Sequence, residues 1–111
     1  DAQQRQKLMY EQVPQSAVFR VGDTIVGSIN QQGYVDINAN VLAAADARGV
    51  DREAMKDFYS YQKMHNSDTQ TIESMLRDVF GEEVNVEQFD EDSMPLLAEV
   101  RNQAKANALP F

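Results

Sequence analysis

The sequence predicts an α+β fold, a small three-stranded antiparallel meander packed against about four to five helices. Three features predict it. Residues Ala17 to Asn38 are rich in β-branched and aromatic side chains and are punctuated by glycine turns. Ile72, Met75, Leu76, Val79 and Phe80 recur at i, i+3, i+4, i+7 and i+8, the spacing of one helix face. The length of 111 residues, 42% hydrophobic and 25% charged, suits a single domain, 1–111, with one modest core.

The chain opens with Ala2 to Val13, rich in Gln and in other helix formers but without a wide apolar stripe, so a short peripheral helix is expected. Pro14 stops it, and residues 1–16 stand as a peripheral helix or a fragment boundary. Strands are then expected over Ala17–Val21, Thr24–Ile29 and Tyr34–Ile37. Gly22-Asp23 joins the first two, with Gly where a two-residue hairpin needs positive φ, and Asn30-Gln31-Gln32-Gly33 makes a longer second turn. On strict alternation Ile25, Gly27 and Ile29 share one face, which the helices must cover.

Asn38 or Asn40 caps a short helix through Val41, Leu42 and Ala45 that Gly49 ends. Asp51 caps the next, carrying Ala54, Phe58 and Tyr61 on one side and running to about Asn66. Ser67 with Gln70 forms a capping box before the Ile72–Phe80 helix, which Gly81 closes. Val84-Asn85-Val86 is either an added edge strand or extended loop, since three residues do not separate the two. Asp92 or Ser93 caps a last helix with Pro95 in its first turn and Leu96, Leu97, Val100 and Ala104 inward. The Leu109-Pro110-Phe111 tail is loose unless docked.

Composition excludes several chemistries. With no cysteine there is no disulfide framework, thiolate nucleophile or Cys-ligated metal site. No run approaches the roughly 18 apolar residues of a membrane span. A formal net charge of −8 repels phosphate backbones, so direct nucleic-acid binding is not expected and a partner with a basic surface is. There is no GxGxxG, P-loop, HExxH or GxSxG, and no cofactor or metal is assigned. Nothing fixes the compartment.

The most unusual segment lies between Gly81 and Met94, where Glu82, Glu83, Glu87, Asp90, Glu91 and Asp92 occur without any Lys or Arg. Such crowding serves an electrostatic docking face, or it is a solvated loop whose last acids favour the N-terminus of the following helix. Phe89 inside it supplies an aromatic anchor or a core contact. Met55 and Tyr59 belong to a Met55, Phe58, Tyr59, Tyr61, Met64 run too broad for one stripe, which is core or, where exposed, the edge of a partner groove.

Two other motifs carry little. Asn30 to Asp36 echoes the middle of a calcium loop, but Ala39 stands where the bidentate Glu belongs, and a hairpin turn accounts for Gly33. His65, the one histidine, sits at an expected helix C-terminus, and Ser67 and Asp68 beside it do not make a triad, whose members must converge in space. The sequence therefore points to a non-catalytic protein–protein interaction module, such as an adaptor, inhibitor, secretion-associated chaperone or structural subunit, using an acidic face. The alternatives are an acidic mimic of nucleic acid that inhibits a basic nucleic-acid-binding protein, and a small enzyme with a carboxylate or His65 site. No catalytic residue is assigned.

Overall fold

The computed structural model describes residues 12–51, 53, 55 and 68–107. Its elements run β1 (Gln15–Val21), β2 (Thr24–Asn30), β3 (Val35–Ile37), α1 (Asn40–Ala47), α2 (Thr69–Phe80), β4 (Val84–Gln88) and α3 (Leu97–Asn107). The sheet is antiparallel throughout, in the order β3-β2-β1-β4. The fold is α+β, but the expected three-stranded meander with four to five helices is corrected to a four-stranded sheet with three helices among the described residues. The extra strand is the Val84 segment, which sequence pattern left between strand and loop; it lies against the free edge of β1, a partner distant in sequence. The helix expected over Ala2–Val13 falls outside the described residues except at its end, as does most of that expected from Asp51 to Asn66.

The β1–β2 hairpin follows the turn chemistry: Val21 faces Thr24 across Gly22-Asp23, and Gly22 takes φ +62°. Beyond the turn, strict alternation fails. Arg20 pairs with Ile25 but Phe19 pairs with Gly27, so Val26 is an extra residue, a β-bulge in β2. The bulge reverses the facing of the later residues of β2, and Ile25 and Ile29, expected on one face, lie on opposite faces. Ile29 and Val26 join Ala17, Phe19, Val21, Val35, Ile37, Val84, Met55 and the inner sides of α1 and α2 in the main core. Ile25 joins Val18, Val100 and Ala104 beneath α3. Both faces of the sheet are therefore covered, not the single face expected, and β1 and β2 are buried nearly throughout.

Gly27 permits a close approach of β3 to β2. A Cβ there would lie 2.7 Å from Ile37 Cδ1 and 2.8 Å from the Asp36 carbonyl oxygen, so β3 can sit against β2 only because the position has no side chain.

The helix ends differ from expectation in three places. Neither Asn38 nor Asn40 caps α1: Ala39 is its N-cap, without a side-chain bond, and Asn38 Oδ1 accepts from the Asn40 N–H at 2.9 Å. Asp68, not Ser67, caps α2, its Oδ1 accepting from the Thr71 N–H at 2.7 Å. The last helix starts at Leu97, two residues after Pro95, because the segment before it is used otherwise. The Gln15 N–H donates to the Pro95 carbonyl at 2.8 Å, the Leu97 N–H donates to the Val13 carbonyl at 2.9 Å, and Pro14 bridges Leu96. Met94, which precedes proline, is extended at φ −64°, ψ 122°, as steric clash with the ring requires. Asn40 ties three elements together: its Nδ2 donates to the carbonyls of Ile25 at 3.0 Å and Ala104 at 2.9 Å, joining α1 to β2 and α3. No described helix is long and apolar enough to cross a membrane.

Candidate functional site

The acidic segment is organised around β4. Val84 and Val86 alternate with Asn85 and Glu87, so the valines face the main core and the polar side chains face the other side. A 3₁₀ turn over Gly81–Glu83 brings the chain from α2 into this strand, and a second over Glu91–Ser93 follows it. β4 forms because its valines complete the core beside Phe19 and Val21, their cross-strand partners on β1.

The register decides which backbone groups remain open. Gly22 N–H donates to the Glu83 carbonyl at 3.0 Å and Phe89 N–H donates to the Ser16 carbonyl at 2.9 Å. In an antiparallel ladder these bonded pairs recur at every second residue, so Asn85 and Glu87 direct their amide and carbonyl groups toward β1. Val84, Val86 and Gln88 direct theirs away from it. The Val84 N–H turns back to the Gly81 carbonyl, but among the described residues no strand lies beyond β4, and the Val84 carbonyl and both backbone groups of Val86 and Gln88 point away from β1.

All six predicted acids are exposed and they bracket this edge: Glu82 and Glu83 before it, Glu87 within it, Asp90, Glu91 and Asp92 after it. They are not equivalent. Arg48 of the segment after α1 donates through Nε to Glu83, and Arg20 of β1 lies 3.4 Å from Glu87, whose side chain is 52% exposed. Glu82, Asp90, Glu91 and Asp92 have no ion-pair partner among the described residues, so uncompensated negative charge stands at both ends of the strand. At about 3.3 Å per residue these ends are roughly 20 Å apart.

The remaining candidates sit elsewhere. Phe89 is half-buried against Val18, Ile25, Val100 and Ala104, a core contact with its outer part still accessible. Met55 is wholly buried in the main core and presents nothing to a partner. Tyr59 and His65 lie outside the described residues. Asn30 Oδ1 accepts from the Gln32 and Tyr34 amides at 3.0 and 2.9 Å, which spends the oxygen of the calcium-like loop on holding the hairpin turn.

Across the sheet, Asp36 on β3 stands 3.9 Å from Arg101 of α3. Burial raises its carboxyl above the ordinary value, and the Arg101 charge opposes this in part. A cavity of about 240 Å³ beside it is lined by Val13, Gln15, Asn30, Tyr34 and Leu97 among others, and a second of about 270 Å³ lies between Asn38 to Asn40 and Arg101 to Lys105. Among the described residues neither cavity is lined by two carboxylates. No cluster of three His, Asp or Glu able to share a metal ion occurs among the described residues. No protein-family model, curated protein or solved structure matches the chain.

Sequence reasoning found the acids by composition but not the open edge between them, nor the two arginines that neutralise Glu83 and Glu87. The signal for the edge was the Val84-Asn85-Val86 alternation. The signal for its openness was absent, because it depends on which strand lies beside β4.

Proposed function

We propose that this chain is a non-catalytic protein-interaction module that engages a basic protein through the β4 side of its sheet. One observation supports the reading: four exposed carboxylates with no ion-pair partner among the described residues, Glu82, Asp90, Glu91 and Asp92, stand at the two ends of the edge strand of the described sheet, whose outer backbone groups point away from β1. Charge so placed steers a positive surface toward the edge and gains when counter-charge arrives, while the net charge of −8 repels nucleic acid. Phe89, half-exposed beside Asp90, supplies apolar area at one end of the same surface.

The test is affinity capture from lysate of the source organism at low and high salt, with identification of the captured protein. The parent is compared with a variant carrying Glu82→Gln, Asp90→Asn, Glu91→Gln and Asp92→Asn. These four leave the Arg48–Glu83 and Arg20–Glu87 pairs intact, so the fold is not the quantity tested. The reading expects a protein retained by the parent, released by salt and lost by the variant. Equal recovery by both forms would retire it.

A further inference from the structure

We infer that the partner supplies an extended segment, Lys or Arg alternating with apolar residues, which adds to β4 as a fifth strand. The inference rests on the interaction-module reading and specifies how the edge is used.

Three features of β4 fix the occupant. Its outward groups, the Val84 carbonyl and the amides and carbonyls of Val86 and Gln88, repeat at every second residue, which is the template an added strand requires. Its two faces differ in chemistry. On the side of Val84 and Val86 the edge continues into the main core, where Val79 and Val86 are partly buried, so that side takes apolar residues. The other side is polar, with Asn85 and with Glu87 shared by Arg20, and the carboxylates of Glu82, Asp90, Glu91 and Asp92 before and after the strand have no ion-pair partner among the described residues, so the cations of an added segment belong on that side and at its ends. Since side chains of a strand alternate between faces, the complementary segment alternates basic and apolar residues. A second copy of this chain is the poorer occupant: antiparallel β4–β4 pairing would bring the same acids of two chains onto one ladder, where like charges opposed are destabilising.

The register also supplies a clean perturbation. The Gln88 N–H points away from β1 and its side chain is exposed, so Gln88→Pro deletes an outward donor without removing a β1–β4 hydrogen bond. The probe is a synthetic blocked peptide of alternating Lys and Val, about seven residues long, enough to cover β4 at about 3.3 Å per residue. Binding is followed by NMR with the full chain, together with amide exchange.

Strand addition slows exchange at the Val86 and Gln88 amides in the parent, and Gln88→Pro weakens binding about tenfold, the effect of one lost hydrogen bond plus the clash of the ring. Of two peptides N-methylated at alternate residues, one in the Lys frame and one in the Val frame, one loses binding and the other keeps it; this arm needs no protein variant. If the four-amide variant loses the peptide while Gln88→Pro binds like the parent and Val86 gains no protection, strand addition is wrong and the acidic docking surface stands. If neither variant weakens binding, the surface itself is wrong. Protection of Val86 and Gln88 in the chain alone, growing with concentration, would make a second copy the occupant and overturn the inference.

Discussion

Replacing Gly27 with alanine separates two rules that give opposite signs. Gly27 lies within a strand, and a glycine in a strand interior is weakening, so alanine there is ordinarily stabilising by about 0.5–1 kcal/mol. The geometry says otherwise. The new Cβ would meet Ile37 Cδ1 at 2.7 Å and the Asp36 carbonyl oxygen at 2.8 Å, against ordinary contacts of about 3.5–4 Å. A methyl at the tip of Ile37 can rotate aside, but the Asp36 oxygen is backbone of β3, whose pairing with Gly27 and Ser28 would have to shift. Overpacking of this kind costs about 1–3 kcal/mol, so after the entropic gain the net loss is about 1–2 kcal/mol. With a urea dependence of about 1.5 kcal/mol per molar, the unfolding midpoint of Gly27→Ala falls by about 1 M with an unchanged slope. Adding Ile37→Val removes one of the two contacts but not the carbonyl, so the midpoint of the double variant stays below that of Ile37→Val alone. A midpoint equal to or above the parent's would refute the claim that Gly27 is held by close approach of β3.

Asp36→Asn tests the sign of a buried charge. A carboxyl raised in the fold favours folding below about pH 3.8 and loses that contribution as pH climbs through its folded value, so the amide removes a penalty at pH 7. Stability at pH 7 should hold or rise within about 1 kcal/mol and its fall with pH should flatten; a larger loss on denaturant titration would mean that the Arg101 pair outweighs desolvation. Asn40→Ala removes donors from the Ile25 and Ala104 carbonyls and should cost about 2 kcal/mol, with faster amide exchange in α3, whereas unchanged exchange there would show that Asn40 does not hold α3 to the sheet. Asp68 runs opposite to Asp36: the Thr71 side-chain and backbone hydrogen bonds lower its carboxyl below the ordinary value, so its contribution is present above about pH 3.8 and fades as pH falls through the lower folded value. Asp68→Ala should lower the melting temperature near pH 7 more than near pH 2, and an equal drop at both would contradict a charged cap.

The strands of the hairpin were legible because turn and composition agree: Gly22-Asp23 spans two residues and valine, isoleucine and phenylalanine crowd either side. Burial of both sheet faces was legible in principle too, since Ala17-Val18-Phe19 and Ile25-Val26-Gly27-Ser28-Ile29 are near-continuous small or apolar runs, the pattern of a strand buried on both sides. Reading Ile25, Gly27 and Ile29 as one face imposed alternation on such a run, and the bulge at Val26 has no signature in the residues themselves. α2 was legible because its apolar stripe is complete, while its cap moved by one residue because Ser67 and Asp68 are both good caps. For the site, the acids stand in plain view in the sequence, but Arg20 and Arg48 come to Glu87 and Glu83 from 67 and 35 residues away. Pairing over such separations is a property of the fold, and no local pattern encodes it.

The same acids bear on a problem that every open sheet has. An unpaired strand invites other chains, and charged side chains along the edge are a common protection. In β4 the charge within the strand is spent on Arg20, and the charge before it is partly spent on Arg48, so the edge is guarded by the set at its ends, Glu82, Asp90, Glu91 and Asp92. Protection by charge differs from protection by covering with a loop or a helix. It rejects acidic and neutral strands by different amounts, and it does not reject a basic one. An edge closed sterically excludes every partner, whereas an edge closed electrostatically is selective, because specificity is the difference between the chains it repels and the chain it attracts. Selectivity of that kind weakens as salt screens the end charges over a Debye length of about 8–10 Å, while the backbone template of Val86 and Gln88 does not change. Rising salt should therefore erode the discrimination between a Lys/Val and a Glu/Val peptide faster than it erodes backbone pairing itself.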